Sequence, residues 1–142
     1  LWISSCDNDD GNYTRIKDIE RLVYLNIKDF RENEGLDGPF VLQFIMVEEA
    51  QLYSFKLAHG EPLGTQGLAD HWTIIHDKLG GYNDQALVLK TASANENDIM
   101  EDLRAQQDAD SIMLEDLTQC GVGIESDAEG MNYVTVLLMK AD

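Results

Sequence analysis

The chain has 142 residues, of which 44% are hydrophobic, and its formal net charge is −17 at pH 7. This length is enough for one domain with a sizeable core. The charge excludes nucleic acid as a partner, because phosphates are held by Lys and Arg, and it disfavours electrostatic docking on anionic lipid. The two cysteines, Cys6 and Cys120, do not make a disulfide framework.

The first six residues, Leu1 to Cys6, run from apolar to small side chains and end in cysteine. They resemble the end of a bacterial lipoprotein signal, the lipobox, whose cysteine becomes the acylated N-terminus of the mature protein. Residues 1–5 would then be a residual signal peptide, and residues 6–13 would be the lipidated Cys6 and an acidic tether. The alternative is a cloning remnant or the start of an ordinary strand.

This N-terminal pattern predicts an extracytoplasmic protein, lipid-anchored to the outer membrane or cell surface through Cys6. More than one acyl chain makes such an anchor stable, since each buried methylene contributes about 0.8 kcal/mol. Acidic residues directly after a lipobox cysteine also resemble the surface-export tag of Bacteroidota lipoproteins.

Three amphipathic helices are predicted next, from apolar residues that recur every three or four positions. The first starts near Ile16 and ends at Gly35, and the second follows Pro39 and runs to about His59. The third starts at Leu68 and ends at a Gly-Gly pair. Since the opening of the second helix is apolar almost all round, we expect it to be buried on more than one side. A partner-binding patch is the alternative.

The second half begins with a short predicted strand within Gln85–Thr91 and two short surface helices over Asn95–Gln106 and Asp108–Leu117. A hairpin follows, with one β-rich run on each side of the polar turn at residues 127–130. Its second run, Tyr133–Met139, is apolar at nearly every position, which is typical of a strand with both faces buried. Helices first and a strand pair last favour an α+β or three-layer fold.

Several landmarks follow one another along the chain in a characteristic order. They are Asn26, Arg31 and Gly35-Leu36, Pro39-Phe40, Ala50 and Ala58, Trp72-Thr73-Ile74-Ile75, Gly81-Tyr82-Asn83, Ile112-Met113-Leu114, and Gly121-Val122-Gly123-Ile124. Their order and spacing resemble the bacterial branch of the CAP superfamily, which includes cysteine-rich secretory, antigen five and pathogenesis-related proteins. The resemblance covers residues 16–140, and it implies that residues 14–142 form a three-layer α-β-α sandwich with a small antiparallel sheet.

The chain departs from that family where the family keeps its chemistry. Many CAP domains hold two His and two Glu in a cleft that can bind a divalent cation such as zinc. The resemblance places the first His on or next to Leu63, the second on Ala109, and one Glu within Val88-Leu89-Lys90. Only Glu101 would remain as a cleft carboxylate. Leu and Ala neither ligate a metal nor move a proton.

Other polar groups give little sign of a site. The three histidines are His59, His71 and His76, and the last two are five residues apart, which turns them about 140° from each other on a helix. We expect these two to be surface or capping residues. His59 beside Glu61 is the best remaining polar pair. Cys120 has no His nearby in the sequence, so we expect a buried free thiol.

These observations predict a non-catalytic, lipid-anchored, CAP-like binding module with no catalytic residues, no metal site and no cofactor. Its partners would be a membrane through Cys6 and an unknown protein, glycan or lipid. One alternative is a divalent-metal-dependent hydrolase with a rearranged cleft, built from His59, Glu61 and Glu101. Another is a purely structural envelope protein.

Overall fold

The structure, a computed structural model, describes residues 15–142. The predictions on residues 1–13, including lipidation of Cys6, lie outside the described residues. The elements in chain order are α1 (Asp18–Asn33), β1 (Val41–Leu42), α2 (Phe44–Ala58), α3 (Ala69–Leu79), β2 (Tyr82–Thr91), α4 (Glu96–Arg104), α5 (Ala109–Met113), β3 (Gln119–Ser126) and β4 (Asn132–Lys140). No helix among residues 15–142 is long and apolar enough to cross a membrane.

The strands form one sheet in the order β1-β3-β4-β2. β4 pairs antiparallel with β3 on one side and with β2 on the other, and Val136 lies between Val122 and Leu87. The two-residue β1 adds a parallel pair at the edge, where Val41 lies opposite Gln119, so the sheet is mixed and not purely antiparallel. The central position of β4 explains its apolar sequence, because every residue from Tyr133 to Met139 is buried.

Helices cover both faces of this sheet, so the fold is a three-layer α-β-α sandwich of the α+β class, as predicted. One core lies under α1, α4 and α5, and it takes alternate residues of β4, namely Val134, Val136 and Leu138. The second core lies under α2 and α3, and it takes Tyr133, Leu137 and Met139. The alternation follows from the two-residue period of a strand.

The layers approach each other very closely where α2 crosses β3. A Cβ atom at Gly123 would lie 2.2 Å from the backbone of Ala50, and one at Gly121 would lie 2.3 Å from the backbone of Met46. Ser54 secures this contact, since its hydroxyl donates to the Gly123 carbonyl at 2.9 Å and accepts from Thr135 at 2.8 Å. Only glycine fits beneath α2 at these two positions.

The start of α1 covers the part of β3 that β1 does not reach. Glu20 is fully buried, and its carboxylate accepts the Ile124 N–H at 2.9 Å. Lys17 donates to the Ile124 carbonyl and to Glu125. These two side chains take the place of a neighbouring strand, which protects an otherwise open edge.

The other end of α1 is held by Arg31. This guanidinium is buried over the Phe40 ring, and it donates to the carbonyls of Met113, Glu115 and Leu117 at 2.8–2.9 Å. The last of these residues lies two positions before the start of β3. Arg31 therefore fixes the segment that leads from α5 into the sheet.

Three predictions about the elements need correction. Residues 41–42 are a strand, not the opening of a helix, because the N–H groups of Val41 and Gln43 donate to the carbonyls of Thr118 and Cys120. β2 starts three residues before the predicted strand. The last two helices expose only their outer faces, since their inner residues belong to the first core: Ile99, Leu103, Ala109 and Met113.

The other element predictions agree with the structure. The hairpin, the first helix and the third helix lie where the sequence predicts them. Cys120 is buried and free, as expected, and burial raises the pKa of its thiol. A thiol of this kind is a small apolar core residue and not a nucleophile.

A Gly123→Ala substitution should destabilise the domain strongly. The added methyl group meets the backbone of α2, which cannot turn away as a flexible side chain could, so we expect a loss of about 3 kcal/mol or more. Urea unfolding followed by circular dichroism measures it. Gly38→Ala is the matched control, because a Cβ there meets nothing within 4 Å. Equal stability of both variants would contradict the contact between α2 and β3.

Candidate functional site

A buried polar cluster lies between α2 and α3. His71 of α3 is 4% exposed, and its Nδ1 lies 2.9 Å from Oε1 of Glu49, which is also 4% exposed. Its Nε2 lies 3.1 Å from Nζ of Lys56. Glu49 and Lys56 are seven residues apart on α2, so they lie on one side of that helix and bracket the ring. The prediction that His71 is a surface or capping residue is wrong.

The partners of His71 fix its tautomer. An ammonium group can only donate, so Nε2 accepts from Lys56, and Nδ1 carries the proton and donates to Glu49. His71 therefore accepts at one ring nitrogen and donates at the other in this arrangement. Because both ring nitrogens are engaged, the ring has no free lone pair with which to bind a metal or to accept a proton from a substrate.

Tyr53 connects the cluster to the loop after α2. Its ring meets His71 edge-on at 5.5 Å, and its hydroxyl bonds to Gly64 and Gly67. Burial, more than the nearby Glu61 carboxylate, raises the pKa of Tyr53. The cluster thus holds three segments together, namely α2, α3 and the loop between them, through hydrogen bonds that leave its buried groups satisfied.

A second polar group lies at the other end of α3. His76 Nδ1 lies 2.7 Å from the Gly80 carbonyl, and Nε2 lies 2.7 Å from Oδ2 of Asp84 on β2. Both partners are acceptors, so the ring must donate twice and is a cation here. The hydrogen bond to Asp84 is the main reason why the pKa of His76 is raised, and that to Gly80 adds to it.

Next to this pair is an open pocket of about 320 Å³, which we name the Trp72 pocket. Trp72 lines it and stacks on His76, with ring centroids 5.7 Å apart and planes inclined by 20°. The wall also includes Thr65, Gln66, Leu68, Asp84 and Gln85. The pocket therefore combines one large aromatic ring with amide, hydroxyl and carboxylate groups.

The structure does not bring the three predicted cleft residues together. His59 follows the last residue of α2, and its ring stacks on the Phe55 ring at 4.1 Å. Glu61 lies in the loop after α2, and its carboxylate packs close to Gly67, where an added Cβ atom would lie 2.7 Å from it. Glu101 is exposed on α4, which packs on the opposite face of the sheet. A site built from all three would need to pass through the central layer.

The residues present do not fit the zinc cleft that the CAP resemblance implies. Ala109 and Leu89 are buried apolar residues, and Leu63 is 52% exposed. Among residues 15–142, no three or more His, Cys, Asp or Glu side chains stand close enough to hold a metal ion.

No protein-family model matches the sequence, and no curated protein matches it. Among solved structures, an outer surface protein from Borrelia burgdorferi has a similar fold, with a TM-score of 0.69. The likeness covers 86% of this chain and 92% of that one, at 14% sequence identity. Likeness at this identity establishes a shared fold over nearly the whole of both chains.

Sequence reasoning missed Glu49, Lys56 and Asp84. One signal was available for the first of them, because Glu49 lies on the same stripe of α2 as Met46, Ala50 and Tyr53. A carboxylate on a core-facing stripe requires a buried partner. Nothing local in the sequence indicates that the partner is a histidine 22 residues further on.

The His76–Asp84 pair predicts a pH-dependent stability. The folded-state pKa of His76 lies above the value of about 6.5 that the residue has in the unfolded chain. The pair therefore stabilises the fold fully below about pH 6.5, and this stabilisation is lost as the pH rises through the folded-state pKa. Asp84→Asn should lower the melting temperature by a few degrees at about pH 5.5, and the difference should shrink as the pH rises through the folded-state pKa of His76.

Thermal unfolding across this range tests the sign of the effect. Glu129→Gln, in the exposed turn between β3 and β4, is the control and should show no such trend. A difference for Asp84→Asn that grows toward alkaline pH would contradict the charged pair. The effect is small because a third of each side chain is exposed to solvent.

Proposed function

We propose that the chain is a non-catalytic, extracytoplasmic binding module with a CAP-like fold, anchored by lipid at Cys6 and presented at the cell surface. The observation that carries this proposal is the outer face of α2. Phe44, Leu52 and Phe55 are 41%, 49% and 51% exposed. They stand within about 80° of one another around the helix axis, and we name them the α2 row.

The α2 row is unusual for a domain of this charge. The inner side of α2 packs on the core, and none of these three side chains belongs to either core cluster. Large apolar side chains aligned on an otherwise polar surface are typical of an interaction site. The sequence analysis kept a partner-binding patch as the alternative for the apolar opening of the second helix, residues 40–47, and of the α2 row only Phe44 lies in that opening.

A protein partner fits the α2 row better than a lipid surface does. A chain with a net charge of −17 is repelled by anionic headgroups. The same charge attracts a protein whose contact surface has an apolar centre and a basic rim. We therefore infer a partner of that chemistry, bound across α2.

The proposed location rests on two supports. The first is the lipobox-like segment from Leu1 to Cys6. The second is the fold shared with the Borrelia burgdorferi protein, which is named an outer surface protein. The competing metal-dependent hydrolase receives no such support, because His59 and Glu61 lie on one side of the sheet and Glu101 lies on the other.

Lipidation of Cys6 predicts that the full precursor, expressed in its own host, incorporates labelled palmitate. Cys6→Ser should abolish the label and release the protein from the membrane fraction, because no acyl chain remains to hold it. Cys120→Ser is the matched control and should keep the label, since that thiol is buried. Palmitate labelling that persists in Cys6→Ser would contradict lipid anchoring at Cys6.

The α2 row predicts a contact that site-specific photo-crosslinking can capture in the intact cell. A benzoylphenylalanine at position 55 or 52 should give a discrete adduct, which weakens at high salt because the basic rim is screened. Leu22 is the control position, since it is 39% exposed on α1 in the opposite layer. Equal adducts at 22 and 55, or none at 55 and 52, would refute the proposed contact face.

A further inference from the structure

The Trp72 pocket has the composition of a site for an uncharged, hydroxyl-rich ligand. The indole of Trp72 is half-buried, so part of its surface stays open, and His76 stacks against the ring and holds its orientation. Leu68 and Ala69, about one turn before Trp72 in the chain, extend the apolar part of the wall. A flat aromatic surface of this kind binds the C–H groups of a sugar ring.

The polar groups of the pocket can bind hydroxyls. Asp84 holds His76 through Oδ2, so its Oδ1 is available to accept a hydrogen bond from another direction. Gln66 and Thr65 each offer both donors and acceptors. Sugar hydroxyls, which also donate and accept, match such a mixed set better than an all-donor or an all-acceptor ligand does.

The charge of the pocket selects against ions. The Asp84 carboxylate is already neutralised by the His76 cation, so the pair contributes no net charge that would hold a cation. The acidic chain as a whole repels anions, since it carries −17. The volume of about 320 Å³ is at the small end for ligand sites, which suits about one sugar ring and part of a second.

We propose that the Trp72 pocket binds a neutral sugar, with the ring on Trp72 and its hydroxyls on Asp84 and Gln66. This inference rests on the pocket between α3 and β2 and is independent of the α2 row, so either proposal can fail alone.

Tryptophan fluorescence tests the proposal directly. The chain has two tryptophans, Trp2 and Trp72, so Trp2→Phe in the full chain leaves Trp72 as the sole tryptophan emitter. The probes are the methyl glycosides of glucose, galactose, mannose and N-acetylglucosamine. We expect a saturable change in emission with at least one of them in the millimolar range.

Two further variants in this background show whether the expected groups hold the sugar. Asp84→Asn and Gln66→Ala should each weaken binding, by about tenfold for Asp84→Asn, which is the loss expected for one charge-assisted hydrogen bond. Gln66→Ala keeps the His76–Asp84 pair, so it separates loss of binding from loss of local structure. Glu101→Gln, on the opposite layer, should bind as the parent does.

Other results would overturn the proposal. Saturation by tetramethylammonium but by none of the four glycosides would make the pocket a cation site. A linear, unsaturable response to every glycoside, in a parent chain that melts cooperatively, would mean that no sugar binds there. Unchanged affinity in both Asp84→Asn and Gln66→Ala would place the sugar elsewhere.

Discussion

The contact between α2 and β3 is the constraint on which the rest of the fold depends. Backbone lies against backbone at Gly121 and Gly123, with Ser54 bonded across the junction. An α2 this close to the sheet can bury only its inner side, so its outer side is left to solvent. The exposed α2 row and the buried Glu49 are therefore two consequences of the same docking geometry. The first faces away from the sheet, and the second faces α3.

The sequence predicts the layers well, because the relevant signals are local. The nearly continuous apolar run of β4 indicates two covered faces, and the amphipathic stripes of α1 and α3 supply helices to cover them. It predicts β1 badly, because Val41 and Leu42 are strand only through hydrogen bonds to residues near 119. Their apolar character suits a helix and a strand equally, and a pairing partner so distant in the chain leaves no local trace.

The polar sites show the same difference between what is local in the sequence and what depends on distant contacts. A buried carboxylate on α2 could be suspected from its place on the core stripe, but its pairing with His71 depends on how α3 crosses α2. His71 and His76 also show why residue type alone does not predict the hydrogen bonds of a histidine. One ring lies between a carboxylate and an ammonium, whereas the other lies between two oxygen acceptors and donates to both. Only the positions of the partners distinguish them.

The polar groups of the described residues fall into two kinds. The buried pair Glu49 and His71 is bonded to itself, and the exposed Lys56 meets the second ring nitrogen, so both nitrogens of His71 are engaged within the domain. The groups that face open space are of another kind: an aromatic ring, amides and one neutralised carboxylate at the Trp72 pocket, and apolar side chains on the α2 row. Groups of this second kind can contact a partner through stacking, apolar packing and hydrogen bonds. The buried ionisable groups therefore hold α2 and α3 together, whereas the exposed groups are those that a ligand or a partner could reach.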